Sequence, residues 1–76
     1  MTKQKPRFLD LPGRHALIAW RAEKGWAPKD VAESIPIALE TYSRIEAGIR
    51  RPPETIRPRL EEVTGGAVKI GMWNLQ

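Results

Sequence analysis

Residue types that carry catalysis are scarce in this chain of 76 residues, and their spacing does not support a reaction. Glu61 and Glu62 are adjacent, but neighbouring residues of a helix point about 100° apart and cannot share one site. There is no cysteine, and His15 is the single histidine, so neither a thiol nucleophile nor a Cys/His metal site can form. Gly65-Gly66 lacks the lysine of a phosphate-binding loop. We therefore expect no enzymatic activity, no metal and no cofactor.

Basic residues are the other group that could do chemistry, and they fall in two regions. The formal net charge is +4, and the isoelectric point is near 10. The first region contains Lys3, Lys5 and Arg7, and the second contains Arg50, Arg51, Arg57 and Arg59, offset by Glu54. Such an excess favours a polyanionic partner, most often nucleic acid. A basic surface that only aids solubility is the alternative.

The elements that would position these groups are helices. The first has Asp10 as a suitable N-cap residue and Pro12 in its first turn. Leu17 and Trp20 lie three residues apart on one face, and Gly25 is a natural stop. A second helix starts near Pro28 and buries the apolar residues that follow, which are Val31, Ala32 and Ile35.

The junction after the second helix is tight. Pro36 forbids continuation because it lacks the backbone donor and clashes with the preceding turn. A third helix then runs from about residue 38 to residue 46, with Tyr42 and Ile45 facing inward and Gly48 closing it. Two short helices joined in this way form a helix-turn-helix.

The remaining chain is less regular. A fourth helix covers part of residues 54–64, and Pro58 either begins it or distorts its first turn. Beyond Gly65-Gly66, apolar residues alternate in a segment that is a short strand, a turn or a final helical turn. We expect one small all-α domain of four or five helices with three parts: a flexible basic arm over 1–9, the helix-turn-helix domain over 10–66, and an apolar C-terminal segment over 67–76.

The central stretch KGWAPKDVAESIPIALETYSRIEAGIRRP resembles the Cro and repressor type of helix-turn-helix, the XRE-like family of phage repressors and small bacterial regulators. The matching features are the K-G that ends helix one, Trp26, the pair Val31-Ala32, the run Ser43–Gly48 and the R-R-P that follows. The resemblance covers roughly residues 13–73. It implies a lambda-repressor-like fold that binds duplex DNA through the third helix.

The chain departs from the family pattern in the turn and at the starts of helices two and three. Pro36 stands where the turn often has glycine, Ala27 and Ala38 replace the polar caps of helices two and three, and Pro28 replaces a glutamine that commonly touches a phosphate. Each missing cap weakens its helix by about 1 kcal/mol.

Within this resemblance, the arginine near the end of helix one pairs with the glutamate near the end of helix three, here Arg21 and Glu46. Residues facing outward on helix three read bases, and these are Leu39, Glu40, Ser43 and Arg44. The candidate phosphate ligands are Lys29, Thr41, Arg50, Arg51, Lys3, Lys5 and Arg7. The candidate dimer contacts in the C-terminal segment, which otherwise packs on the core, are Val68, Ile70, Met72, Trp73 and Leu75.

The function this implies is that of a sequence-specific transcriptional regulator, a Cro-like repressor of phage or prophage type, acting as a homodimer on double-stranded DNA. Two alternatives stay open. The first is an antitoxin-type DNA-binding protein with a toxin partner. The second is an adaptor that keeps the helix-turn-helix scaffold, does not bind DNA and contacts a phage or host regulator. We expect a cytoplasmic protein with no membrane segment, since the longest apolar runs are far below spanning length. We also expect no small-molecule effector, because these 76 residues form one domain and offer no second one to bind it.

Overall fold

The computed structural model of the chain describes residues 6–74. It contains four α-helices and one 3₁₀ helix: α1 Pro12–Lys24, α2 Pro28–Ser34, α3 Leu39–Glu46, α4 Arg57–Val63 and the 3₁₀ helix Ile70–Trp73. The prediction of a small all-α domain is confirmed, and residues 6–74 contain no β-strand. The alternation of Val68, Ile70 and Met72 therefore does not produce a strand. A lone strand would leave its backbone groups without partners in an all-helical chain.

The N-cap of helix α1 lies one residue later than predicted. The N-cap residue is Leu11, with extended backbone and no capping side chain, whereas Asp10 lies exposed in a preceding turn. Pro12 supplies the helical φ at the first position, so the start does not depend on an acidic cap. At the other end Gly25 adopts a φ of 68°, and the Trp26 N–H donates to the Arg21 carbonyl at 3.1 Å, as in a Schellman motif.

Helix α2 starts at Pro28, as predicted, despite the missing polar cap. The Asp30 carboxylate accepts a hydrogen bond from the Ala27 N–H at 2.9 Å. This is the returning half of a capping box, and it recovers part of what the alanine loses. The helix ends at Ser34 before Pro36, and the turn closes through the Ile37 N–H, which donates to the Ala32 carbonyl at 2.9 Å.

Helix α3 begins at Leu39 and ends before Gly48, whose φ of 78° lets the chain turn away. The Ile49 N–H donates to the Arg44 carbonyl at 3.0 Å, which repeats the terminal motif of α1. Helix α4 begins only at Arg57, with Pro58 in its first turn, so the late start is the correct one of the two that the sequence allowed. Proline is tolerated there because the first-turn N–H groups have no partner in the helix.

One apolar core holds the five elements together. Its buried members are Leu11, Leu17, Val31, Ala32, Ile35, Tyr42, Ile45, Leu60, Val68 and Trp73. Trp20, which helical spacing places on the same face as Leu17, is only half-buried, and so is Trp26. Both indoles pack against the core at its edge, where they meet edge to face with ring centroids 5.2 Å apart.

The C-terminal segment closes the core against the start of α1. Trp73 is 1% exposed and lies on Gly13, where an added Cβ would come within 2.6 Å of the indole ring. The predicted arm is also partly docked: Phe8 packs against the core, and its N–H donates to the Gly48 carbonyl at 2.9 Å. Residues 7–9 are therefore part of the folded domain and not of a free arm.

Candidate functional site

The outward face of α3 is the candidate site. Tyr42 and Ile45 are buried, so the helical period directs the opposite side of α3 to the surface. The residues on that side are Leu39, Glu40, Ser43, Arg44 and Ala47, all of them exposed. Leu39 is 47% exposed and adds an apolar side chain to this face. The structure thus brings together the four residues predicted to read bases.

Glu40 and Arg44 form an ion pair on this face. They stand one helical turn apart, and Nη2 of Arg44 donates to Oε1 of Glu40. The side chains are 74% and 50% exposed, so the pair adds little to stability. It orients the guanidinium along the surface of α3.

Helix α3 is fixed to α1 by a second, shielded ion pair. Arg21 Nε donates to Oε2 of Glu46 at 2.6 Å, and Nη2 donates to Oε1 at 3.1 Å. The third guanidinium nitrogen, Nη1, donates to the Trp26 carbonyl at 2.8 Å. The hydrogen bond to Glu46 raises the pKa of Arg21 above its ordinary value, so the guanidinium stays charged. The two residues that the resemblance pairs are therefore in bidentate contact.

The same carboxylate engages the only tyrosine. The Tyr42 hydroxyl donates to Oε2 of Glu46. Burial raises the pKa of Tyr42 far above its ordinary value of 10.0, and the hydrogen bond to Glu46 and the charge of Glu46 act in the same direction. Tyr42 therefore keeps its phenolic proton to a higher pH in the folded domain than in the unfolded chain.

Arg14 has a role in this network that the sequence reasoning missed. Its Nε donates to the backbone carbonyl of Glu46 at 2.6 Å, and its Nη1 donates to the Leu9 carbonyl at 3.0 Å. A cation at the last carbonyls of a helix also complements the helix dipole. The available signal was the spacing, since Arg14 lies two turns before Arg21 on the same face of α1.

Several arginine side chains lie near the C-terminal end of α3. Arg50 is exposed, and its Nε makes only a long contact of 3.5 Å with the Arg51 carbonyl. The guanidinium groups of Arg7 and Arg51 both lie over the Phe8 ring, at 5.6 Å and 5.2 Å from its centroid. The docked segment thus joins the N-terminal basic region to the basic loop after α3. Lys3 and Lys5 lie outside the described residues.

Arg51 is less free than predicted. Besides its position on Phe8, its Nη1 donates to the Trp73 carbonyl at 3.3 Å, and the residue is half-buried. A guanidinium held in this way is oriented by the fold, so Arg50 is the cleaner phosphate candidate of the two. Lys29 is exposed near the start of α2, and Thr41 is half-buried on the flank of α3.

The second basic region is not one open patch. Arg57 is 9% exposed, and its Nε donates to the Pro52 carbonyl at 3.0 Å, which braces the α3–α4 loop. Arg59 pairs with Glu62 at 2.7 Å and donates to the Ser34 carbonyl at 3.1 Å. Both arginines therefore serve the fold, because each guanidinium donates to a backbone carbonyl outside its own helix.

The four candidate dimer residues within the described part of the chain do not share one surface. Val68 and Trp73 are buried in the chain's own core, and Met72 is half-buried. Ile70 is exposed, and its N–H donates to the Glu61 carboxylate at 3.1 Å. Leu75 lies outside the described residues. Of the two options for the C-terminal segment, packing on the core describes Val68 and Trp73.

A different surface lies beside α2. Trp26, Asp30, Glu33 and Ser34 line an open groove of about 420 Å³, and its charge is acidic. Among residues 6–74 no three His, Cys, Asp or Glu side chains are grouped to hold a metal ion. No helix in that part of the chain is both long and apolar enough to cross a bilayer.

Comparisons of the chain with protein-family models, with curated proteins and with solved structures found no match. The resemblance to the Cro and repressor type therefore stays a prediction. The case for a function depends on the surface that α3 presents and on the charges around it.

Proposed function

We propose that the chain binds duplex DNA with α3 in the major groove and acts as a sequence-specific transcriptional regulator, a repressor of Cro type. The observation that carries this proposal is the exposed face of α3. Residues that can donate to, accept from and contact base edges line that face, and the exposed Arg50 follows where the helix ends.

The dimensions of α3 suit a groove. An α-helix with its side chains is about 10–12 Å across, and the major groove is about 12 Å wide. Its eight residues rise about 12 Å, which spans a few base pairs. The shielded Arg21–Glu46 pair and the Arg14 hydrogen bond hold this short helix at both side chain and backbone. A helix fixed in this way can present its outer face without rearrangement.

The surrounding cations suit the phosphates on either side. Arg7 and Arg50 lie by the α3–α4 loop, and Lys29 is exposed near the start of α2. Phosphate contacts supply affinity and register, whereas base contacts supply sequence preference. A two-fold dimer on a palindromic site would double both sets, and Ile70 is the described C-terminal candidate that stays exposed for such an interface.

A salt titration tests this proposal. Labelled duplex is titrated with the protein at about 50 and about 200 mM salt, and binding is followed by fluorescence anisotropy. Two protomers with three phosphate contacts each should lose about a thousandfold in affinity over this range. Absence of binding at the lower salt would contradict the proposal.

Two arginine variants then separate the roles of the residues. Arg50→Ala should weaken all duplexes alike and reduce the salt slope by about 0.9 for each phosphate that the variant no longer neutralises. Arg44→Ala should flatten the preference among sequences. Arg59→Ala is the matched control, because Glu62 and the Ser34 carbonyl already engage that guanidinium. Equal effects of all three variants would contradict this division.

The second candidate function is an adaptor that keeps the scaffold without binding DNA. The exposed Leu39 and the negative charge of Glu40 on α3 favour it. An adaptor predicts no anisotropy change at either salt concentration. The antitoxin alternative loses part of its support, since Val68 and Trp73 are buried in the chain's own core and are not available to a toxin.

A further inference from the structure

The Glu40–Arg44 pair places donors and an acceptor side by side on the outer face of α3. The guanidinium presents several N–H groups, and the carboxylate that it contacts presents oxygen lone pairs. Both side chains are at least half exposed, so the pair can meet a ligand without disturbing the core. We propose that this pair reads a single G·C base pair as one unit. The inference rests on the proposed function and names its preferred ligand.

The major-groove edge of a G·C pair has the complementary order. Guanine offers two acceptors, N7 and O6, and cytosine offers the N4 amino donor next to them. Arg44 can fork onto the two guanine acceptors while Glu40 accepts from the cytosine amine. The hydrogen-bonded O6 and N4 atoms are about 2.9 Å apart, similar to the spacing between donor and acceptor atoms within an ion pair. The two side chains can therefore stay in contact while both engage the base pair.

An A·T pair does not have this order. Its edge runs from the N7 acceptor to the N6 donor, then to the O4 acceptor and the thymine methyl. The guanidinium fork would meet one acceptor and one donor, and the carboxylate would face the O4 acceptor. Both Arg44 and Glu40 therefore disfavour an A·T pair, since each side chain would be left with a polar group that has no suitable partner.

Charge gives the pair a second effect. Glu40 cancels the charge of Arg44, so the pair contributes little to attraction for phosphates in general. A duplex without a G·C pair at this position gains almost nothing from the two residues. Glu40→Gln would remove that restraint: the variant should bind random duplexes more tightly and prefer G·C less.

The test begins with selection of duplexes from a random pool by wild-type protein. One invariant G·C pair is expected in the enriched half-site. In the best duplex, 7-deazaguanine at that pair removes the N7 acceptor, and A·T removes the whole pattern. Each should weaken binding by about 5- to 150-fold, the range for one bidentate contact. Hypoxanthine in place of guanine is the matched control, because it keeps the major-groove edge and changes only the minor groove.

The protein side of the test is a cycle that combines Glu40→Gln with the A·T duplex. We expect the two changes to be coupled. Replacing G·C by A·T should therefore reduce the affinity of the Glu40→Gln variant several-fold less than it reduces the affinity of the wild type. Arg59→Ala should show the same reduction as the wild type, because that guanidinium lies on α4 and is engaged by Glu62 and the Ser34 carbonyl. Enrichment with no dependence on Glu40 or Arg44 would overturn the inference and leave DNA binding intact. No salt-dependent binding to any duplex would overturn the proposed function itself.

Discussion

At the residue scale, Glu46 joins α3 to α1. Its carboxylate accepts from Arg21 and from Tyr42, and its backbone carbonyl accepts from Arg14. Two cations from α1 therefore hold the end of α3. Removing one partner of a shielded ion pair leaves the other charge without compensation, which costs about 3–5 kcal/mol when the pair is fully buried.

The sequence predicted some of these residue contacts and not others. Arg21 and Glu46 were found through the family resemblance, since nothing local links residues 25 positions apart. The contacts of Arg14 and Arg57 were missed because their partners are backbone carbonyls. Every residue has a carbonyl, so the sequence does not indicate which one an arginine will contact. The exposed face of α3 followed from periodicity alone, which depends only on the local helix.

Tyr42 gives a prediction about high pH. Its pKa is raised in the folded state, so the unfolded chain loses the phenolic proton first, near pH 10. The contribution of Tyr42 to stability is fully present below that pH. Above it, the free energy of unfolding should fall by up to about 1.4 kcal/mol per pH unit. Urea unfolding at a series of pH values measures this slope. The Tyr42→Phe variant should lack this component of the slope.

A spectroscopic observation can contradict that prediction directly. Tyr42 is the only tyrosine, so tyrosinate absorbance in the near ultraviolet reports this residue alone. The absorbance should rise together with the loss of helical circular dichroism. A rise near pH 10 with the helical signal intact would show that the hydroxyl is accessible and that its pKa is ordinary.

At the element scale, the ends of the helices decide how α3 is presented. Gly25 and Gly48 both end their helices with positive φ, and Pro36 separates α2 from α3. These positions were predicted because glycine and proline act through local backbone sterics. Local patterns do not decide the start of α4 or the form of the C-terminal segment, because both depend on packing between distant elements.

Gly48 also receives the N-terminal segment, which gives a second prediction. A Cβ at this position would lie 2.8 Å from the Leu9 Cα, in addition to the strain of a positive φ. Gly48→Ala should therefore cost about 1–2 kcal/mol for the backbone and about 1–3 kcal/mol for the clash. Urea unfolding of the variant measures the sum.

Gly65→Ala is the matched control for Gly48. Gly65 has a φ of 63°, and an added Cβ would meet nothing within 4 Å. It should show the backbone cost alone, about 1–2 kcal/mol. Equal losses of unfolding free energy for the two variants would mean that residues 7–9 are not docked on the α3–α4 loop. The docked segment would then not bring the two basic regions together.

At the scale of the whole molecule, the C-terminal segment completes a small core. A chain of this length buries only about 60% of its unfolded surface, so each large side chain matters. Trp73 is the largest fully buried residue, and it packs on α1 at Gly13. The sequence indicated that this segment was too apolar to be solvated. It did not indicate the site of packing, because the small residue that receives the indole is 60 positions away.

Gly13→Ala tests this closure. The new methyl would lie 2.6 Å from the indole, so overpacking should cost about 1–3 kcal/mol even though alanine favours helix. Gly71→Ala is the control, since Gly71 has open space around it and a negative φ, and its effect should stay within about 0.5 kcal/mol. A Gly13→Ala protein at least as stable as the wild type would place Trp73 elsewhere.

The central claim is that the outer face of α3 lies against base pairs. Nuclear magnetic resonance of the isotopically labelled protein, titrated with a selected duplex, tests it most directly. The largest shift changes are expected at Leu39, Glu40, Ser43 and Arg44, with smaller ones at Arg50 and Lys29. Changes confined to the groove beside Trp26 or to the 3₁₀ helix, with α3 unchanged, would contradict it.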